Sequence, residues 1–405
     1  MYNLGIYFMS LFIRLVSPFK RKARLMIDGH KSVFNLLEKE IDKKAKYIWF
    51  HVASLGEFEQ ARPIIEEIKN SKPEYKILLT FFSPSGYEVR YNYPLADIVT
   101  YLPFDTKKNA RRFLELTNPH MVIFIKYEFW YNYINEIYQR RIPVYLVSAI
   151  FRKNQSFFKK LRSPYRNMLS LYTHFFVQDD ESHKLLQKHG IKNVTVAGDT
   201  RIDRVIEIQK QTVNLPIVEK FIDKGSIIFI AGSSWPADED IFINYFNSHP
   251  NLKLIIAPHE IDESHLTEIE KKLSRPSQRY SGLTDTDTVN ADCMIIDCFG
   301  LLASVYRYAD IGYIGGGFGD GIHNLPEAAV YGIPVIFGPN FIKFREAHDL
   351  IATGGGFTIK NRAEFNKLME SFINEPELRE KAGKEAKNYI FSNSGATNTI
   401  LNHIF

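Results

Sequence analysis

Cysteine is almost missing: the 405 residues hold two, Cys293 and Cys298. That is too few for a disulfide framework, and the spacing is wrong for a Cys-x2-Cys zinc pair, so a reducing, cytoplasmic setting is expected. No repeat with a period of about 20 to 50 residues occurs, which excludes solenoids and propellers. Low-complexity tracts are also lacking. The most apolar stretch, residues 2–16 (YNLGIYFMSLFIRLV), is interrupted by Arg14. It is shorter than the roughly 20 residues a spanning helix needs. It is no signal peptide either, because positive charge follows the apolar run instead of preceding it and no small-residue cleavage site comes after. There is no Gly-Lys-Ser/Thr phosphate loop and no serine nucleophile elbow. His259-Glu260 begins a metalloprotease-like zinc motif, but position 263 is Glu and His265 does not complete it, so no metal and no bound cofactor are expected.

Excess charge is absent from most of the chain as well. The formal +5 lies entirely in residues 1–31, where Arg14, Lys20, Arg21, Lys22, Arg24 and Lys31 face one acid, Asp28. An aromatic, apolar stretch followed by Lys and Arg fits a segment lying on an anionic membrane surface, each cation there adding about 1 kcal/mol. The alternative is an ordinary first helix with its charges in water.

What is present is globular: 45% hydrophobic and 24% charged residues, with 23 Gly and 18 Pro. From about residue 45, short runs rich in Ile, Val, Phe and Tyr alternate with amphipathic stretches, the pattern of β-α units around parallel sheets. Strands are predicted at 47–52, 76–82, 121–126, 143–149, 173–178 and 193–198. A second set is predicted at 226–232, 252–258, 293–298, 311–316, 334–338 and 356–359. Residues 208–225 read as a linker. The resulting expectation is an α/β protein with two doubly wound, Rossmann-like domains facing across a cleft: a membrane-surface segment at 1–31, a first domain at 32–210 and a second at 211–405.

Ligands of such sheets bind beyond the carboxyl ends of the strands. After the first predicted strand comes HVASLGE, residues 51–57. Ser54 and Glu57 have the spacing of a capping box. Alternatively, Glu57, beside Gly56, removes a proton from an acceptor hydroxyl. The strand at 121–126 leads to Glu128 and Trp130, which either build an acceptor pocket with an aromatic face for a sugar or begin a helix with an acid on its dipole. Arg152 opens a basic, aromatic stretch that continues through Lys159, Lys160 and Arg162 to Arg166, suited to lipid phosphates or, in competition, nucleic acid. The aromatic N-terminal segment favours the membrane, and no nucleic-acid partner is expected.

In the second half, Ser233 and Ser234 sit between a strand and a helix beginning near Pro236, a weakly specific phosphate cradle. A more distinctive motif is GGGFGDGIHNLPEAA, residues 315–329, with five glycines between 315 and 321. Its backbone N–H groups are expected to face an anion, and a helix is expected to start near Asn324. Glu327 lies one turn inside, where it could accept hydrogen bonds from a ribose diol. The loop is not a G-x-G-x-x-G fingerprint, since it follows a late strand and lacks the downstream acid.

Taken together, HVASLGE (51–57), YEFW (127–130), GDTRID (198–203), AGSS (231–234), GGGFGDGIHNLPEAA (315–329) and FGPNFIKFREA (337–347) resemble the 3-deoxy-D-manno-octulosonic acid (Kdo) transferases acting on lipid A precursors, glycosyltransferases of the GT-B class. The resemblance covers nearly the whole chain. It implies Glu57 as general base and Glu128 as a second important acid. It also implies donor contacts from Ser233, Ser234, His259, Gly315, Gly316, Gly317, His323, Asn324 and Glu327, and acceptor contacts from Ser54, Gly56, Trp130 and Arg152. The donor would be CMP-Kdo and the acceptor a lipid IVA-type lipid A precursor, with metal-independent inversion at the cytoplasmic face of the bacterial inner membrane. Departures from the family pattern are Lys126 in place of an acid, Tyr131 in place of a proline, Ile322 in place of a glycine, His259 where an arginine is usual, and Asn340 and Lys343 in place of His and Asn. Two other readings stay open: a GT-B transferase using a UDP-sugar, and a non-catalytic membrane-surface protein that binds nucleotide sugars.

Overall fold

The computed structural model describes residues 2–158, 164–211, 213–222 and 225–405. The chain divides into two compact units, Met1–Arg204 with Ser394–Phe405, and Val205–Asn393.

The first unit is built on seven parallel strands: β1 (Lys46–Val52), β2 (Tyr75–Phe81), β3 (Ile98–Tyr101), β4 (Met121–Ile125), β5 (Val144–Ala149), β6 (His174–Val177) and β7 (Val194–Val196). Their order is β3-β2-β1-β4-β5-β6-β7. Every residue of β4 and β5 is buried, as the apolar runs require of a sheet covered on both faces. The order reverses direction between β1 and β4, so the loops leaving these two strands line the crevice in which doubly wound sheets bind ligands.

Ahead of the sheet come two helices, α1 (Tyr2–Val16) and α2 (Arg21–Glu40). α2 buries Met26, Val33 and Leu37 at helical spacing, so the expected boundary at residue 31 falls inside a packed helix. α1 is fastened on one side only. Ile6 is buried, Tyr2 Oη donates to Asp105 (2.5 Å) and Asn132 Nδ2 donates to Asn3 (2.8 Å). On its other side Leu4, Tyr7, Phe8, Leu11, Phe12 and Leu15 are exposed. No helix among the described residues is long and apolar enough to cross a membrane.

The second unit carries β8 (Ile227–Ser234), β9 (Leu252–Pro258), β10 (Ser277–Arg279), β11 (Cys293–Ile295), β12 (Ile311–Ile314), β13 (Val335–Phe337) and β14 (Gly356–Thr358). These form a parallel sheet in the order β10-β11-β9-β8-β12-β13-β14, which reverses between β8 and β12. All twelve predicted strands are present. The two that sequence reading missed, β3 and β10, are short edge strands of four and three residues, where an apolar run has little length to show itself.

Three expectations on organisation change. The stretch read as a linker contains the end of the helix Thr200–Lys210 and the helix Pro216–Phe221, whose Ile217, Val218 and Phe221 are buried. The division falls at Arg204 instead of residue 210. The last twelve residues, assigned to the second domain, belong to the first unit. There the helix Ala396–Ile404 buries Ile400 in the core, and Asp203 accepts from the N–H groups of Gly395 and Thr397, both at 2.6 Å.

Candidate active site

Where β1 ends, the chain enters the helix α3 (Leu55–Ser71), and Glu57 turns back over its start. Its Oε2 accepts from Ala53 N (2.7 Å), Ser54 N (3.0 Å) and Ser54 Oγ (3.3 Å). The capping role is therefore real, and it occupies one carboxylate oxygen. No hydrogen bond reaches Oε1 from the described residues. Burial pushes the Glu57 carboxyl above the ordinary glutamate value, and the Glu128 charge adds to this, while the Ala53 N–H, His51 and Lys126 pull it down. Beside it, Gly56 is exposed and a Cβ there would meet nothing, so packing does not explain the glycine.

At the exit of β4, Lys126 takes a left-handed conformation (φ 67°), which is uncommon for a non-glycine residue and costs about 1–3 kcal/mol. The turn carries Glu128 inward, to 5% exposure. Its Oε2 lies 2.9 Å from His51 Nε2 and accepts from Trp130 Nε1, while its carbonyl accepts from Tyr172 Oη (2.7 Å). Trp130 Nε1 is also 3.0 Å from His51 Nε2. The Trp130 ring packs on Phe82 at 4.7 Å and joins the cluster under α1. The indole is thus held at its N–H and against Phe82, while the residue stays partly exposed. His51, fully buried on β1, was not singled out in the sequence. The signal was there, a histidine at a strand's carboxyl end three residues before Ser54.

Arg152 is exposed, and its charge acts on the Tyr127 phenol, whose pKa burial raises. Of the rest of its basic stretch, Lys159, Lys160 and Arg162 lie outside the described residues.

In the second unit the corresponding exits are those of β8 and β12. Ser233 is left-handed (φ 52°) and partly exposed. Ser234 does not face a ligand as expected: it is fully buried and its hydroxyl donates to Glu239 (3.0 Å), which also meets His265 Nε2 at 3.0 Å. The glycine-rich loop also departs from expectation. Gly315 N donates to Gly232 O, Gly316 N to Asp238 Oδ2 (2.8 Å), and Gly319 N and Gly321 N to Gly316 O. Of the five glycines, Gly317 alone has no recorded acceptor for its N–H among the described residues.

Close packing is the physical reason for several of these glycines. A Cβ at Gly315 would overlap the Ser233 carbonyl, one at Gly316 the Gly321 carbonyl, and one at Gly317 the backbone of Gly338. The helix after the loop starts at Pro326, not near Asn324, and lasts only to Ala329, too short to act as a dipole at an anion. Asn324 Nδ2 donates to Glu327 Oε1 (2.7 Å), leaving Asn324 Oδ1 buried without a partner among the described residues. His323, whose pKa burial lowers to about 4, accepts from Trp235 Nε1 (3.1 Å) and stacks on the exposed His259 at 4.3 Å. No three His, Cys, Asp or Glu side chains gather as a metal site among the described residues.

Comparison with known proteins gives the family and the fold. Residues 29–204 match the family described as 3-deoxy-D-manno-octulosonic-acid transferase (kdotransferase). The chain is 30% identical over 349 residues to the 3-deoxy-D-manno-octulosonic acid transferase of Aquifex aeolicus, covering 84% of this chain and 90% of that one. It is 27% identical over 391 residues to a bifunctional glycosyltransferase/methyltransferase of Fusobacterium nucleatum, covering 93% of this chain but 59% of that longer protein. Among solved structures, UDP-GlcNAc 2-epimerase from Neisseria meningitidis superposes with a TM-score of 0.63 at 16% identity, over 88% of this chain and 99% of the epimerase. Acinetobacter baumannii MurG gives 0.58 at 10% identity, over 89% and 99%. At such identities these two speak for the fold alone, two Rossmann-like units of the GT-B class. Sequence relatedness carries the rest: the chain is a glycosyltransferase and belongs to the Kdo transferase family.

Proposed function

We propose that this enzyme transfers Kdo from CMP-Kdo to a hydroxyl of a lipid A precursor, with Glu57 as general base. The observation that carries the reading is the Glu57 carboxylate, oriented through Oε2 by its own helix start and left without a partner at Oε1 among the described residues. Burial raises its proton affinity, which suits a base that must accept a proton near neutrality. In the reaction the acceptor hydroxyl oxygen bonds to the anomeric carbon of Kdo, with inversion, while its proton passes to Glu57. The bond from that carbon to the phosphate oxygen breaks, and CMP leaves with the electron pair. In the second unit the groups supporting donor recognition are the Gly317 N–H, Asn324 Oδ1, Ser233 and the exposed face of His259. Gly315, Gly316 and Ser234 serve by shaping the loop.

The lipid acceptor gives the first helix a purpose. Leu4, Phe8, Leu11, Phe12 and Leu15 recur at helical spacing on the exposed side of α1, with Arg14, Lys20, Arg21, Lys22 and Arg24 exposed nearby. An apolar face and a basic cluster suit a helix lying in an anionic bilayer surface, at the cytoplasmic face of a bacterial inner membrane. The test is incubation with CMP-Kdo, generated in situ, and a tetra-acylated lipid A precursor, followed by mass spectrometry of the lipid. A mass gain of one or more Kdo units is expected, and an unmodified lipid alongside hydrolysed or untouched donor would overturn the assignment.

A further inference from the structure

We propose that His51 is a positioning residue for the transfer: its imidazole carries both ring protons and pairs with the Glu128 carboxylate as a buried, net-neutral couple that shields Glu57 from the Glu128 charge. The inference rests on the reading of Glu57 as the base.

A count of protons leads to it. His51 is 0% exposed. Its Nδ1 faces the Thr80 carbonyl at 3.1 Å and Thr80 Oγ1 at 2.9 Å. The carbonyl only accepts, and the Thr80 hydroxyl accepts from Trp49 Nε1 (2.7 Å) while donating to Phe50 O (3.2 Å). Nδ1 must therefore donate. That leaves Nε2 against Glu128 Oε2 at 2.9 Å, with Trp130 Nε1–H close to both. One indole hydrogen cannot join two acceptors that also touch each other, because a lone pair and a carboxylate oxygen at 2.9 Å repel. A proton on Nε2 resolves the contact. Nε2–H then donates to Glu128 Oε2, which also takes the indole N–H, and the contact among these three groups becomes complementary.

The consequence falls on Glu57. The charged groups acting most strongly on it are Glu128 and Lys126 from the β4 exit and His51 from β1, with the Tyr127 phenol nearby. Glu128 favours the protonated, inactive form of Glu57, and His51 and Lys126 oppose it. Without its imidazolium partner, the buried Glu128 charge would act on the base unopposed from that side.

The test reads the acid limb of the pH profile of kcat/KM for Kdo transfer. His51→Asn is expected to move the limb to higher pH by roughly one unit, Glu128→Gln to move it lower, and the double variant to return it close to the wild-type position. Shifts of the same sign, or none, would overturn the proposal. So that a variant that fails to fold or turn over does not end the matter, ¹⁵N NMR of histidine-labelled wild-type protein reads the ring directly, with the His51 signals identified by their response to Trp130→Phe. Protons on both nitrogens are expected, and a bare Nε2 would sink the idea. Glu57→Gln separates the two levels: if that variant keeps turnover the base assignment fails, whereas a dead Glu57→Gln with unmoved limbs elsewhere fails the His51 proposal alone.

Discussion

Two acids occupy the same place in the two units and do opposite things. Glu57 and Asp238 each stand three residues beyond the residue that caps the helix after the first strand of their sheet, and each accepts that cap's N–H. Asp238 is filled on both oxygens, with Tyr313 Oη on Oδ1 (2.7 Å) and the N–H groups of Trp235 and Gly316 on Oδ2. Glu57 is filled on one. The lesson is that a capping carboxylate becomes available for chemistry only when the neighbouring strand exit fails to complete it. At β12 a glycine loop folds back onto Asp238, whereas at β4 the turn brings Glu128 to His51 and leaves Glu57 Oε1 without a partner among the described residues.

The glycines repeat the contrast. Those of residues 315–317 are required by contact, while Gly56 has open space around it.

The sharpest way to break the comparison is Glu57→Gln. Glutamine keeps the cap, so the urea midpoint should stay near that of the wild type while Kdo transfer falls by about 10²–10⁴-fold. Asp238→Ala should do the reverse. It strips three donors, two of them buried, of their acceptor and is expected to cost on the order of 3 kcal/mol in urea unfolding. Next comes the pH dependence at His323. The folded ring titrates at about 4, below the ordinary histidine value of 6.5, so its contribution is fully present above 6.5 and is lost as pH falls from 6.5 to 4. Stability of His323→Gln measured against wild type should therefore improve by about 2 kcal/mol over that interval, and parallel curves would refute the burial argument. The smallest effect is at Gly56. Alanine there should stabilise α3 by about 0.5–1 kcal/mol, yet raise KM for the lipid acceptor if the open space is where it sits.

Much of the fold was legible because parallel strands buried on both faces leave long β-branched and aromatic runs. The edge strands β3 and β10 were not, being too short to leave one. Glu57 could be found by its spacing from Ser54, and the glycine-rich loop by composition. Its backbone donors were misjudged, since composition does not show that Asp238, 78 residues earlier, meets Gly316. Nor does any local pattern link His51 to Trp130, 79 positions on, or the C-terminal helix to the first sheet.

What the sequence determined by itself was periodicity, capping spacing and the concentration of charge in residues 1–31, because each of these depends on neighbours a few positions away. Only the tertiary structure decided which oxygen of which carboxylate stays without a partner and which glycine amide still has a hydrogen to offer. Those outcomes depend on groups brought together by strand order from distant parts of the chain: both acids accept three hydrogen bonds, and Asp238 alone has them spread over both oxygens.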